Sequence, residues 1–142
     1  MDESLDSTLD SELDKVVDEI QKYQITDSKT IKERKKSILN TLVLEPKEMK
    51  HYQDLLLEYR YVDELDELRM GSYLRFFRLN TDTLSLGRGG FLADIKFKNQ
   101  SILLLLKNRS SFFKLKMEEC ILFQKNTPQE EIIIHILDQV KG

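Results

Sequence analysis

Apolar residues recur at helical spacing through the first half of the chain and then switch to alternation, and this change of period divides the sequence. Leu9, Leu13, Val16, Ile20 and Tyr23 follow one another at steps of four, three, four and three, with Asp, Glu, Ser and Lys between them. Residues 4–24 therefore read as an amphipathic helix with a narrow, coiled-coil-like stripe. A stripe of about two heptads is marginal alone, so it needs a partner in the chain or on another subunit. Thr26-Asp27-Ser28 breaks the pattern, and Thr30 followed by Glu33 matches a capping box opening a second helix with Ile31, Ile38, Leu39 and Leu42 on one side. Pro46 ends that helix or opens a third, marked by Met49, Tyr52, Leu56 and Tyr59 and continuing past Val62, Leu65 and Leu68 to a stop at Gly71.

From Ser72 the pattern becomes that of strands. Tyr73–Leu79 is aromatic and apolar, Asn80–Thr83 is turn-like, and Leu84-Ser85-Leu86 is a short strand or loop. Phe91, Ala93, Ile95 and Phe97 alternate with Leu92, Asp94, Lys96 and Lys98, the clearest half-buried strand in the chain. Asn99-Gln100 turns into Ile102–Leu106, Phe112–Met117 alternates again, and Cys120–Gln124 is a last strand. Strands about every ten residues with short connections predict a small antiparallel five-stranded β-barrel or meander, the barrel having the advantage of removing exposed edges. Thr127-Pro128-Gln129-Glu130 then has the order of an N-cap, a first-position proline and a capping-box acid, predicting a helix with Ile132, Ile133, Ile136, Leu137 and Val140 along one side. The β-branched run Ile132–Ile134 is the competing signal for a strand. The predicted architecture is α+β: an acidic helical region at 1–68, a basic β unit at 69–125 and a terminal helix at 126–142.

Charge sharpens that division. Residues 1–68 hold 10 Lys/Arg against 18 Asp/Glu, a balance of −8. Residues 69–116 hold 10 Lys/Arg against Asp82 and Asp94, a balance of +8, while the remainder holds 2 against 5 and brings the chain to its net −3. The sign change predicts an anionic partner for the β unit, or the chain's own acidic arm. The candidate anion-binding cations are Arg75, Arg78, Arg88, Lys96, Lys98, Lys107, Arg109, Lys114 and Lys116, with Arg75, Arg78, Lys96, Lys98, Lys114 and Lys116 expected on the outer faces, a set suited to DNA or RNA if exposed aromatic rings accompany it. All seven phenylalanines lie between residues 76 and 123 and read first as core. The cluster Lys32, Arg34, Lys35, Lys36 reads as a solvated face pairing with the acidic first helix.

Chemistry is sparse. Gly87-Arg88-Gly89-Gly90 lacks the following helix and Lys-Ser/Thr pair of a phosphate loop, and reads as a bulged turn into the Phe91 strand rather than an anion cradle. His51, His135 and Cys120 assemble into no recognisable nucleophile and base, and His51 has no second His or Cys nearby to suggest a metal site. No cofactor motif is present, so an enzyme is not expected. Cys120, the single cysteine, sits in an apolar run and reads as a small buried hydrophobe, consistent with a reducing, intracellular compartment or the inside of a virion. No apolar run approaches the ~18 residues of a membrane span.

Three short stretches carry a resemblance: Leu68–Phe77 with its glycine-led aromatic strand and arginine, Gly89-Gly90-Phe91-Leu92, and Ile102–Asn108. Over residues 68–124 the chain resembles small uncharacterised proteins of large double-stranded DNA viruses. The resemblance implies a viral setting and a virion-associated role, with no functional residue to carry over. The expectation from the sequence is thus a non-enzymatic structural or accessory module contacting other subunits, its own copies or virion components, through Leu9, Leu13, Val16, Ile20 and Tyr23. The alternative is a nucleic-acid-binding β unit using the basic face of residues 69–116.

Overall fold

The computed structural model describes the backbone of residues 3–23 and 25–141 and the side chains of residues 11–23 and 25–140. Three helices, α1 (Glu3–Tyr23), α2 (Ser28–Asn40) and α3 (Pro46–Leu55), precede the sheet, and α4 (Pro128–Lys141) follows it. The second helix opens at Asp27, whose Oδ1 accepts from Thr30 N at 3.2 Å, so the cap lies three residues before the expected Thr30. α3 opens as expected, with Pro46 in its first turn. The capping signals before α4 outweigh its β-branched run: Thr127 N donates to Glu130 Oε1 at 2.9 Å while Glu130 N donates to Thr127 Oγ1 at 3.1 Å.

The sheet is antiparallel and has six strands: β1 (Tyr59–Val62), β2 (Tyr73–Arg78), β3 (Gly90–Lys98), β4 (Ser101–Asn108), β5 (Ser111–Lys116) and β6 (Cys120–Lys125), in the order β1-β6-β2-β3-β4-β5. Two expectations are corrected. The extra strand, β1, arises where the sequence was read as helix, because Leu56, Tyr59 and Val62 stand three apart and mimic a helical face. Nor does the sheet close into a barrel: a 3-10 turn, Met117–Glu119, carries the chain from β5 to β6, which inserts between β1 and β2 rather than pairing with β5. β1 and β5 remain as edges.

The sheet curls nonetheless. Val62 on one edge strand and Leu115 on the other belong to a single buried cluster with Leu74, Phe76, Leu92, Leu104, Leu106 and Leu122. Joining the halves is a short seam between β2 and β3, in register only at Tyr73↔Phe91 and Leu74↔Gly90. The opposite face of β1-β6-β2 packs Tyr59, Phe77, Ile121 and Phe123 against Leu39 of α2 and Leu56 just after α3. β6 is consequently buried on both faces, Ile121 through Gln124 all inside. A third cluster joins the helices, with Ile133 and Ile134 of α4 against Ile25 and the half-buried Val16, Ile20, Tyr23, Ile31 and Leu137.

Polar side chains lock these layers. Gln124, fully buried, accepts from Arg69 N at 2.8 Å and donates to Glu67 O at 3.0 Å, tying β6 to the chain before β2. Asp138 of α4 accepts from Ser28 N and Ser28 Oγ, both at 2.8 Å, at the start of α2. The basic cluster of α2 does not pair with α1 among the described residues, because α2 lies against β1 instead. Arg34 bonds Asp63 at 2.6 Å and the buried Glu67 at 3.2 Å, and Lys35 turns inward to donate to Leu56 O at 2.7 Å.

Burial pushes the Lys35 ammonium down from 10.5 to about 8, against the opposing pull of Glu131. A folded value below the unfolded one means that its contribution to stability is complete above pH 10.5 and is lost as the pH falls to about 8. The stability of the wild type relative to Lys35→Met is therefore expected to rise between those pH values by up to roughly 3 kcal/mol. Urea melts at half-unit pH steps would measure it. A flat difference would mean that Lys35 is solvated at no cost.

Candidate nucleic-acid interface

Strand register sorts the cations of the β unit. Cross-strand rows of β3, β4 and β5 run Phe91–Lys107–Phe112, then Asp94–Leu105–Lys114, then Lys96–Leu103–Lys116, and end with the pair Lys98–Ser101. Their inner neighbours Leu92, Leu104, Leu106 and Leu115 are buried in the core, so these rows form the opposite, outer face. Five of the nine expected cations, Lys96, Lys98, Lys107, Lys114 and Lys116, come together here, all exposed, around the half-buried Leu103 and Leu105. Among the described residues no helix packs on this face: the buried helical contacts belong to the other half of the sheet and to the helix cluster.

A β-bulge between Leu92 and Asp94 gives this face one of its two rings, Phe91. It inserts one residue into β3 and reverses the alternation, so the face starting at Phe91 does not continue to Ile95. Ile95 packs on the core, whereas Phe91 is 53 % exposed. Phe112 is 57 % exposed on the same face, and Phe97, set opposite Ile102 on the other face, is 71 % exposed, so three of the phenylalanines expected in the core are on the surface, while Phe76, Phe77 and Phe123 are buried. The Phe91 ring is nonetheless held in place, edge-on to Tyr73 with centroids 5.0 Å apart. Lys107 Nζ stands 5.6 Å from the Phe112 centroid. Phe91 and Phe112 flank Lys107 two strands apart, roughly 10 Å across the sheet. For Phe91 the sequence signal was the Gly89-Gly90 pair followed by Ala93-Asp94, small and polar residues that permit a bulge where the pattern shows an unbroken strand.

Charge is unevenly spread along the face. At the end near Lys98 and Ser101, a hydrogen bond from Ser101 holds the Glu118 carboxyl below its ordinary range, and Glu119 lies 4.0 Å from Lys116. Asp94 is 4.0 Å from Lys96. Lys98, Lys107 and Lys114 have no carboxylate within 4 Å among the described residues. The Phe91–Lys107–Phe112 end is therefore the more positive.

Three more of the expected cations, Arg75, Arg88 and Arg109, line an open groove of about 710 Å³ beside that end, together with Ser110 and Ser111. The ninth, Arg78, stands apart, its guanidinium 5.6 Å from the Phe76 ring centroid. Arg69 is also withdrawn from solution: it bonds Glu130 at 3.2 Å and stacks 4.1 Å from the Tyr23 centroid. The expected helix contacts divide likewise. Val16, Ile20 and Tyr23 pack within the chain, Leu13 is exposed, and the side chain of Leu9 lies outside the described residues. A smaller cavity of about 200 Å³ between α2 and α4 is lined by Ile31, Leu39 and Ile134, and its buried cation, Lys35, is already bound to Leu56 O. Burial pushes the Cys120 thiol up to about 11, which keeps it protonated and unreactive at neutral pH.

No protein-family model, curated protein or solved structure matches the chain.

Proposed function

We propose that the protein is a non-enzymatic binding module whose outer β3-β4-β5 face takes single-stranded nucleic acid. The observation that carries this reading is the row Phe91–Lys107–Phe112, two exposed rings flanking a lysine and continuous with four further lysines. Lysines follow a phosphate backbone, while rings available to solvent stack on unpaired bases. A duplex hides its base faces, so the rings favour a single strand. Titrating a fluorescent oligonucleotide at several salt concentrations tests the reading. Affinity should fall steeply with salt, and Phe91→Ala with Phe112→Ala should cost roughly 1–3 kcal/mol per ring without changing the salt slope. No binding at ~50 mM salt, or full affinity in the double variant, would overturn it.

Contact with other subunits is the second reading, favoured by the stripe Ile132, Ile136 and Val140, which α4 turns to solvent while Ile133, Ile134 and Leu137 face inward. Either role suits a virion-associated or accessory protein, the setting implied by the resemblance over residues 68–124.

A further inference from the structure

We infer that the groove formed by Arg75, Arg88 and Arg109 is a subsite for a terminal phosphate monoester of the bound strand, an inference that rests on the nucleic-acid reading of the adjoining face. The two sites are contiguous. Lys107 pairs with Phe112, and the next pair along the same two strands, Asn108 with Ser111, borders the groove. Their side chains differ in kind. The cations of the face are all lysines, flexible point charges suited to any stretch of backbone, whereas those of the groove are all arginines, whose planar forks bind the oxygens of one phosphate in pairs.

The groove is also built. Arg75 Nε donates to Gly87 O at 3.1 Å, Tyr73 Oη to Arg88 O at 2.8 Å, and Asn108 Nδ2 to Gly89 O at 2.8 Å, so the loop that carries Arg88 is fixed by side chains of β2 and β4. Arg109 adopts a φ of 57°, an unusual conformation for a residue other than glycine, asparagine or aspartate. None of the three guanidinium groups has a carboxylate within 4 Å among the described residues, and no acidic side chain lines the groove. Three uncompensated cations and the hydroxyls of Ser110 and Ser111 suit a dianion better than the single charge of an internal phosphodiester.

The test compares one short oligonucleotide in three forms, 5′-phosphorylated, 3′-phosphorylated and with hydroxyls at both ends, against the wild type and the Arg88→Gln/Arg109→Gln variant. One phosphorylated form should bind the wild type about tenfold more tightly than the hydroxyl form, and the variant should lose that preference. Inorganic phosphate should remove the preference while sparing binding of the hydroxyl form, which would separate occupancy of the groove from general screening. Equal affinity for all three forms, or a preference that survives in the variant, would overturn the groove assignment alone. Failure of every form to bind at ~50 mM salt would overturn both it and the function on which it rests.

Discussion

Replacing Glu130 by glutamine is expected to destabilise the protein by about 3–5 kcal/mol, the cost of removing one partner from a buried ion pair. Glu130 is 1 % exposed and makes several interactions at once. One carboxylate oxygen caps the first turn of α4 through Thr127 N, and the other accepts from Arg60 at 3.0 Å and Arg69 at 3.2 Å. Arg60 is itself buried and also donates to Asn126 Oδ1. Glutamine would set an amide N–H against either the two guanidinium groups or Thr127 N and leave Arg60 without a counter-charge, so α4 should loosen from the sheet. For a chain of this size the loss corresponds to roughly 10–20 °C in Tm.

A pH dependence separates this effect from simple loss of packing. Burial alone would raise the Glu130 pKa, but the hydrogen bond and charge of Arg60, with help from Thr127 and Arg69, bring it below the ordinary carboxylate value. A depressed folded value contributes stability that is present above the unfolded pKa of 4.5 and lost as the pH falls through the folded one. The gap between wild type and Glu130→Gln should therefore be widest near neutrality and narrow on acidification below that value. Taking the difference between the two proteins cancels Glu67, whose carboxyl burial raises and which would slope the other way. A gap below about 1 kcal/mol at pH 7, or one that ignores pH, would remove Glu130 from its assigned role.

The local half of this arrangement was legible in the sequence and the distant half was not. Thr127, Pro128 and Glu130 stand at cap spacing, and the structure uses Thr127 and Glu130 as a capping box. Nothing local says that Glu130 also neutralises Arg60 and Arg69, since those bonds span 70 and 61 residues. That is also why Arg69, one of the ten Lys/Arg counted in residues 69–116, adds no charge to the candidate face. β1 was missed because a four-residue strand buried mostly on both sides shows no alternation, and its spacing continues that of α3. The charge of the candidate face could be counted from sequence, but its position depended on register. Without the bulge at Leu92/Asp94, Phe91 would read as core and the face would keep only one of its two rings, Phe112.

Gly89→Ala should be the most damaging change in the β unit outside its core, at about 2–5 kcal/mol from backbone strain and overpacking together. Gly89 has a φ of 97°, which side chains rarely permit, and a Cβ there would overlap the Leu74 carbonyl oxygen. Neither problem can relax cheaply, because Leu74 is fully buried and pairs with Gly90 in the short seam joining the two halves of the sheet. Gly71 supplies the control: its φ of 83° is similarly unfavourable, but a Cβ there meets nothing within 4 Å. Gly71→Ala should thus cost only the backbone term, about 1 kcal/mol. Chemical melts of the two variants would separate strain from collision, and equal losses would show that the close approach of β3 to β2 is not what fixes Gly89. Because Gly89 O also accepts the Asn108 bond beside Arg88 and Arg109, a Gly89→Ala protein that still folds should lose the terminal-phosphate preference before it loses binding to the face.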